Sequence, residues 1–237
     1  MSPVSLIPPH GGYKKLRTYK LGNLIYDATA AFCEQYLDRK DRTYDQMVQA
    51  ARSGVANIIE GSEASATSKK SELKLTNVAK ASHEELLADY QAVLRQRGLP
   101  EWAAGSPAAQ TVRRARPETL DQLRKLMAAL VADSTLFPET PSRDCRTCRT
   151  CQTGLTKFAQ AKDAIRSKAA RKAEVAGNVM LCLINQETYL LGRQIARLAA
   201  DFERDGGFTE RLHRIRTEAS INSIFRRTNR TLWYKNV

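Results

Sequence analysis

The sequence predicts an all-α protein: an antiparallel four-helix bundle with an inserted helical, cysteine-containing segment and a basic helical C-terminal extension. Three observations support this. Ala, Leu, Arg, Gln, Glu and Lys dominate the 237 residues while Pro and Gly number 8 and 12, a composition that favours helix. Apolar residues recur at three- and four-residue steps through four long segments, and no strand-like alternation competes with them.

The first helix spans about Tyr13 to Leu37, with Leu21, Leu24, Ile25, Ala28, Phe32 and Tyr36 as its apolar stripe. The second is expected from Thr43 to just before Gly61, because Thr43 with Gln46 fits a capping box and Gly61 suits the left-handed position after a helix. Its apolar positions are small: Ala50, Ala51, Ser53, Gly54 and Ala56 leave room for a neighbouring helix to approach closely. The third runs from about Ser68 to Arg97 with Leu75, Val78, Ala79, Ser82, Leu86, Tyr90, Val93 and Leu94 as its stripe, and Gly98 and Pro100 stop it.

The pattern fades from Leu99 to Arg116. Pro117 at a first helical position then opens an inserted helix carrying Leu120, Leu123, Leu126, Met127 and Leu130. Pro138 and Pro141 break the chain, and a loop follows. The last long helix covers about Ala173 to Arg204, with Val179, Met180, Leu183, Ile184, Leu191, Ile195, Leu198 and Phe202 on its apolar face and Gly206-Gly207 at its end. A shorter helix is expected from Phe208 to Phe225. The organisation is then an arm (1–12), three bundle helices (13–98), an insertion (99–172), a fourth bundle helix (173–205) and a suffix (206–237).

The net charge of +13 is unevenly placed. Residues 143–172 hold nine Lys/Arg and two Asp/Glu, residues 211–237 hold seven and one, and the remainder is neutral. Two basic blocks on a neutral body point to a polyanionic partner, most commonly nucleic acid, because phosphate contacts release condensed counterions. The phosphate-contacting candidates are Arg143, Arg146, Arg149, Lys157, Lys162, Arg166, Lys168, Arg171 and Lys172 in the first block and Arg226, Arg227 and Arg230 in the second. Trp233 and Tyr234 follow the second block, placing stackable rings among cations as single-stranded RNA or DNA requires. Solvated helix faces and a tail packed back on the bundle are the competing explanations.

Cys145, Cys148 and Cys151 supply three thiolates within seven residues, and Cys182 is the candidate fourth ligand of a tetrahedral zinc site. The spacing also suits an iron–sulfur cluster, and the flanking Arg143, Arg146 and Arg149 would activate these thiols with or without a metal. An odd count of five cysteines argues against a secreted disulfide framework. His10, His83 and His213 stand apart from one another as surface or packing residues. No phosphate-binding glycine loop, nucleophile elbow or zinc-protease helix is present, so a non-catalytic nucleic-acid-binding protein is expected, with a structural oligomeric scaffold for protein partners, or a metal-dependent enzyme or redox sensor centred on the cysteine cluster, as the alternatives. Neither a membrane span nor a secretory signal is evident, which makes the cytoplasm the expected compartment.

The run from Gln46 to Ser62 (Gln-Met-Val-Gln-Ala-Ala-Arg-Ser-Gly-Val-Ala-Asn-Ile-Ile-Glu-Gly-Ser), followed by Ser68, Ser71, Glu72 and Ala81-Ser82-His83-Glu84-Glu85-Leu86, resembles a known family. These are the four-helix-bundle proteins encoded in intervening sequences of large ribosomal RNA genes, a group that includes the accessory variability proteins of diversity-generating retroelements. Leu6 to Tyr13 and Gly206 to Leu212 resemble its longer "four helix bundle suffix domain" branch. The resemblance implies a ring, commonly a pentamer, with a basic surface, a reverse transcriptase and its RNA as partners, and no catalytic residues. Self-association is then expected through the small-residue helix, at Ala50, Ala51, Arg52, Gly54, Asn57 and Glu60. Glu60, expected in the last helical turn, faces the negative end of the helix dipole and needs a partner. Arg52 of a neighbouring copy and the start of the third helix near Thr67 and Ser68 are the candidates.

Overall fold

The computed structural model describes residues 11–133, 154–207, 209–210, 212–218 and 220–221, with backbone alone for 154–167 and 205. Every regular element among them is helical. A short 3-10 turn, Gly12–Lys15, leads into α1 (Arg17–Tyr36), α2 (Arg42–Ala64), α3 (Lys69–Gln96), α4 (Pro107–Ala115), α5 (Leu120–Ala132) and α6 (Gly154–Asp205).

Short polar side chains set the helix starts. Asp41 accepts from the Thr43 N–H at α2, Ser68 from Ser71 at α3, Ser106 from Ala109 at α4 and Thr119 from Gln122 at α5, each satisfying an N–H that the helix itself leaves free. Gly98 closes α3 with a φ of 64°, a left-handed value that glycine adopts without a Cβ penalty.

Packing follows a closed order: α1 lies against α2 and α6, and α3 lies against the same two helices. Ile25, Met47, Leu86, Tyr90, Leu183 and Ile184 are fully buried at the common centre. The α4–α5 segment joins this core, since both helices pack on α6 and their Val112, Leu123 and Leu130 belong to the same apolar cluster. Asn178 of α6 fastens the incoming chain, donating to the Pro100 and Glu174 carbonyls at 2.9 and 3.0 Å and accepting from the Trp102 N–H at 2.7 Å. Itself almost fully buried, Asn178 holds polar groups that would otherwise be buried unpaired.

Several boundaries differ from the sequence expectation. Asp41, not Thr43, caps α2, and the helix continues past Gly61 to Ala64. Gly61 is a contact residue: a Cβ there would sit 3.4 Å from that of Leu75 and 3.5 Å from the Glu72 carbonyl, so its value is room for α3. Glu60 is therefore one turn away from the helix end, which weakens the dipole argument for a partner. The fading pattern between Leu99 and Arg116 hides α4, whose buried residues are only Ala108, Ala109 and Val112. Pro107 occupies the first-turn position assigned to Pro117, which instead lies buried ahead of α5.

α6 begins at Gly154 rather than near Ala173, so 52 residues form one helix about 78 Å long at 1.5 Å per residue. The basic residues from Lys157 to Lys172 therefore lie on α6, the helix that also packs against α1 and α3. Helical turns at 209–210, 212–218 and 220–221 fall within the expected Phe208–Phe225 helix, with Leu212 and Ile215 partly buried and Ile221 exposed.

Candidate nucleic-acid interface

The small face of α2 is used inside the chain. Ala50, Ala51 and Gly54 are buried, and an added Cβ at Gly54 would collide with the His83 imidazole of α3. The close helix approach expected between copies is thus made to α3, and these three residues do not lie on an outer surface. Arg52 and Glu60 do face outward, while Asn57 is partly buried and donates to the Ser53 carbonyl at 2.8 Å.

His83 sits opposite Glu187 of α6, with Nδ1 3.6 Å from Oε1 and neither side chain exposed. Beyond this contact and the nearby Ala51 carbonyl, the imidazole nitrogens and both carboxylate oxygens have no well-formed hydrogen bond among the described residues. Burial pushes the imidazole down to about 4, opposed by the Ala51 carbonyl, and pushes the Glu187 carboxyl well above its ordinary value. Each group is driven toward its neutral form. Room for the pair comes from two glycines: Gly54 beneath the imidazole and Gly22 of α1, where a Cβ would stand 3.0 Å from Glu187 Oε1. The centre of the molecule is therefore occupied by a compact polar pair in which burial disfavours the charged form of each partner.

Cations and a ring gather at the surface where the C-termini of α1 and α3 meet α6. A groove of about 770 Å³ is lined by Gln35, Tyr36, Arg97, Leu99, Lys168 and Lys172, among others. Its construction is local. Arg97, at the end of α3, donates through Nη2 to the Tyr36 carbonyl, one of the carbonyls that α1 leaves free at its own end. Burial raises the Tyr36 phenol and the Arg97 guanidinium opposes the rise, as expected for a cation beside the ring. Lys168 and Lys172 are exposed one turn apart on α6 and complete the basic wall.

Arg171 is only partly exposed and acts on Glu174, whose carboxyl burial raises while the Trp102 indole N–H, donating at 3.1 Å, and the Arg171 charge lower it. Among the cations of this turn, Lys168 and Lys172 present more of their charge to solvent. Lys157, Lys162 and Arg166 precede them on the same helix, with side chains outside the described residues. Arg143, Arg146, Arg149, Arg226, Arg227, Arg230, Trp233 and Tyr234 also lie outside the described residues. The groove residues Tyr36 and Arg97 were not among the sequence candidates, since nothing in a linear pattern brings two helix ends to a third helix.

Cys145, Cys148 and Cys151 of the expected metal site lie outside the described residues too. Cys182 is partly buried on α6, its thiol raised by burial with Arg113 opposing. No group of three His, Cys, Asp or Glu able to hold a metal occurs among the described residues. Nor does any described helix have the length and apolarity to cross a membrane. In comparisons with known proteins, no family model, curated protein or solved structure matches the chain.

Proposed function

We propose that the chain is a non-catalytic nucleic-acid-binding protein, built on an antiparallel four-helix bundle of α1, α2, α3 and α6, that holds single-stranded RNA or DNA along the basic stretch of α6. The observation that carries this reading is the groove formed by Tyr36, Arg97, Lys168 and Lys172, which places three cations and a ring at the folded end of the basic block. Cations that neutralise phosphates beside a ring on which a base can stack suit a flexible single strand. Phosphate contacts carry little base information, so sequence preference is modest. The basic residues 143–166 and 226–230 extend the contact, and a reverse transcriptase with its RNA is the partner that the family resemblance suggests.

Self-association into a ring remains part of this proposal, with its interface moved. The inward residues of α2 are occupied by α3, so contacts between copies would use the outward residues, Arg52 and Glu60 among them. The direct test is to purify the protein without nuclease at low salt and identify what copurifies. RNA recovered from the intact protein and lost from Arg97→Gln/Lys168→Gln/Lys172→Gln supports the proposal. Equal recovery from both, or none from either, removes it.

A further inference from the structure

A second basic cavity lies elsewhere on the molecule, among residues of the charge-neutral body. It has a volume of about 660 Å³ at the start of α1, beside the α4–α5 turn and the middle of α6. Lys15, Arg17, Lys20 and Arg116 line it against a single carboxylate, that of Glu118. None of the four cations is in an ion pair among the described residues. Four like charges gathered around one cavity repel one another unless an anion lies between them.

Three further features suit the same ligand. The first turn of α1 contains no acidic residue and its N-cap, Leu16, provides no side-chain acceptor, so this helix end, whose Arg17, Tyr19 and Lys20 line the cavity, keeps its positive dipole charge without a carboxylate of its own. The Gln186 Nε2, on a residue lining the cavity, is buried and without an acceptor among the described residues. Arg116 holds a φ of 44°, the only positive value at a non-glycine residue among those described. Glycine or asparagine occupies such a position after a helix without strain, so an arginine there keeps its guanidinium at a conformational cost.

We infer that this cavity is a binding site for a phosphate group of high charge, either the polyphosphate of a free nucleotide or the 5′-terminal phosphate of a strand. Arg17 and Arg116 supply planar forks that match phosphate oxygens, Lys15 and Lys20 add point charges, and the Gln186 amide donates to an oxygen or a base edge. The Tyr19 ring and the side chains of Leu21, Pro117 and Leu183 offer apolar contact for an attached nucleoside. The site is separate from the groove at Arg97: along α6, Gln186 and Ala170 are about 24 Å apart at 1.5 Å per residue.

Calorimetric titration of the full chain at low salt with inorganic tripolyphosphate, ATP, and one oligonucleotide carrying either a 5′-phosphate or a 5′-hydroxyl tests the inference. Arg116→Gly is the informative variant, because glycine relieves the left-handed strain while removing the guanidinium. Binding of at least one phosphate ligand should weaken tenfold or more in Arg116→Gly and in Arg17→Gln/Lys20→Gln, with the Arg116→Gly melting temperature unchanged or raised. Lys125→Gln, an exposed cation on α5, should leave binding intact. Dependence seen for ATP and tripolyphosphate identifies a free nucleotide, and dependence confined to the 5′-phosphorylated strand identifies a strand end. No binding by the intact protein, an unchanged affinity in Arg116→Gly, or an equal loss in Lys125→Gln overturns the inference. Arg97→Gln/Lys168→Gln/Lys172→Gln keeps this site whichever way the nucleic-acid reading falls.

Discussion

Glu187 is the residue whose chemistry most constrains the molecule. Its carboxyl is raised well above the ordinary 4.5 by burial, whereas His83 is lowered from 6.5 to about 4. Because burial raises the Glu187 carboxyl in the folded chain, its contribution to stability is complete below 4.5 and is lost as pH rises above that value. His83 behaves oppositely: its contribution is complete above 6.5 and is lost as pH falls from 6.5 toward about 4. The two groups therefore pull stability in opposite directions as pH changes, His83 acting below 6.5 and Glu187 above 4.5. Glu187→Gln, nearly isosteric, should therefore be more stable than the parent at pH 8 and gain less at pH 5.5, the difference growing by at most about 1.4 kcal/mol per pH unit. Urea denaturation at the two pH values measures this, and a variant less stable at pH 8 would mean that the pair acts as an ion pair.

Both residues occupy positions that helical periodicity reserves for the core. Ala79, His83, Leu86 and Tyr90 form one line on α3, and Met180, Ile184, Glu187 and Leu191 form another on α6. A charged residue on a core line was thus visible in the sequence. What was not visible is that the two lines meet, because that depends on the register between helices far apart in the chain.

At the scale of the element, helix contact is governed by which glycines lie under which side chains. Gly54→Ala would gain up to about 1 kcal/mol of helix propensity but would drive a methyl into the His83 ring. The expected net loss is about 1–3 kcal/mol, the range for overpacking a filled core. His83→Ala removes the obstruction, so the double variant Gly54→Ala/His83→Ala should lose less than the sum of the single losses in a denaturation cycle. Additive losses would show that the contact is unimportant.

Asn178→Ala removes the acceptor and donors that fasten residues 100–102, and should cost about 1–3 kcal/mol while lowering protection of α4 from hydrogen exchange before that of α2 or α3. Uniform loss across all helices would contradict that local role. The long helices were legible because their apolar stripes span many turns. α4 was not, because three buried residues are too few to reveal a period, and the early start of α6 was concealed by a cation-rich sequence in which Leu155, Phe158 and Ile165 are the only large apolar residues before Ala173.

For the whole molecule, the placement of charge decides the functional reading. The sequence separated a neutral body from two basic blocks, and folding joins part of one block to Arg97 and Tyr36, which the sequence did not nominate. If Cys145, Cys148, Cys151 and Cys182 hold zinc, mass spectrometry under native conditions will show one ion per chain in protein purified without chelator, and Cys148→Ser will release it. Metal-free parent protein would remove that reading without touching the groove.

The most direct measurement is the salt dependence of affinity for a single-stranded RNA, made on the parent protein, on Arg97→Gln/Lys168→Gln/Lys172→Gln, and on Lys69→Gln/Lys70→Gln/Lys74→Gln in the N-terminal half of α3. Each phosphate contact contributes roughly −0.7 to the slope of log affinity against log salt. The groove variant should therefore bind weakly, with a slope flatter by up to about 2, while the α3 variant stays near the parent. Equal losses in the two variants, or a parent protein that binds no RNA at low salt, would contradict the account.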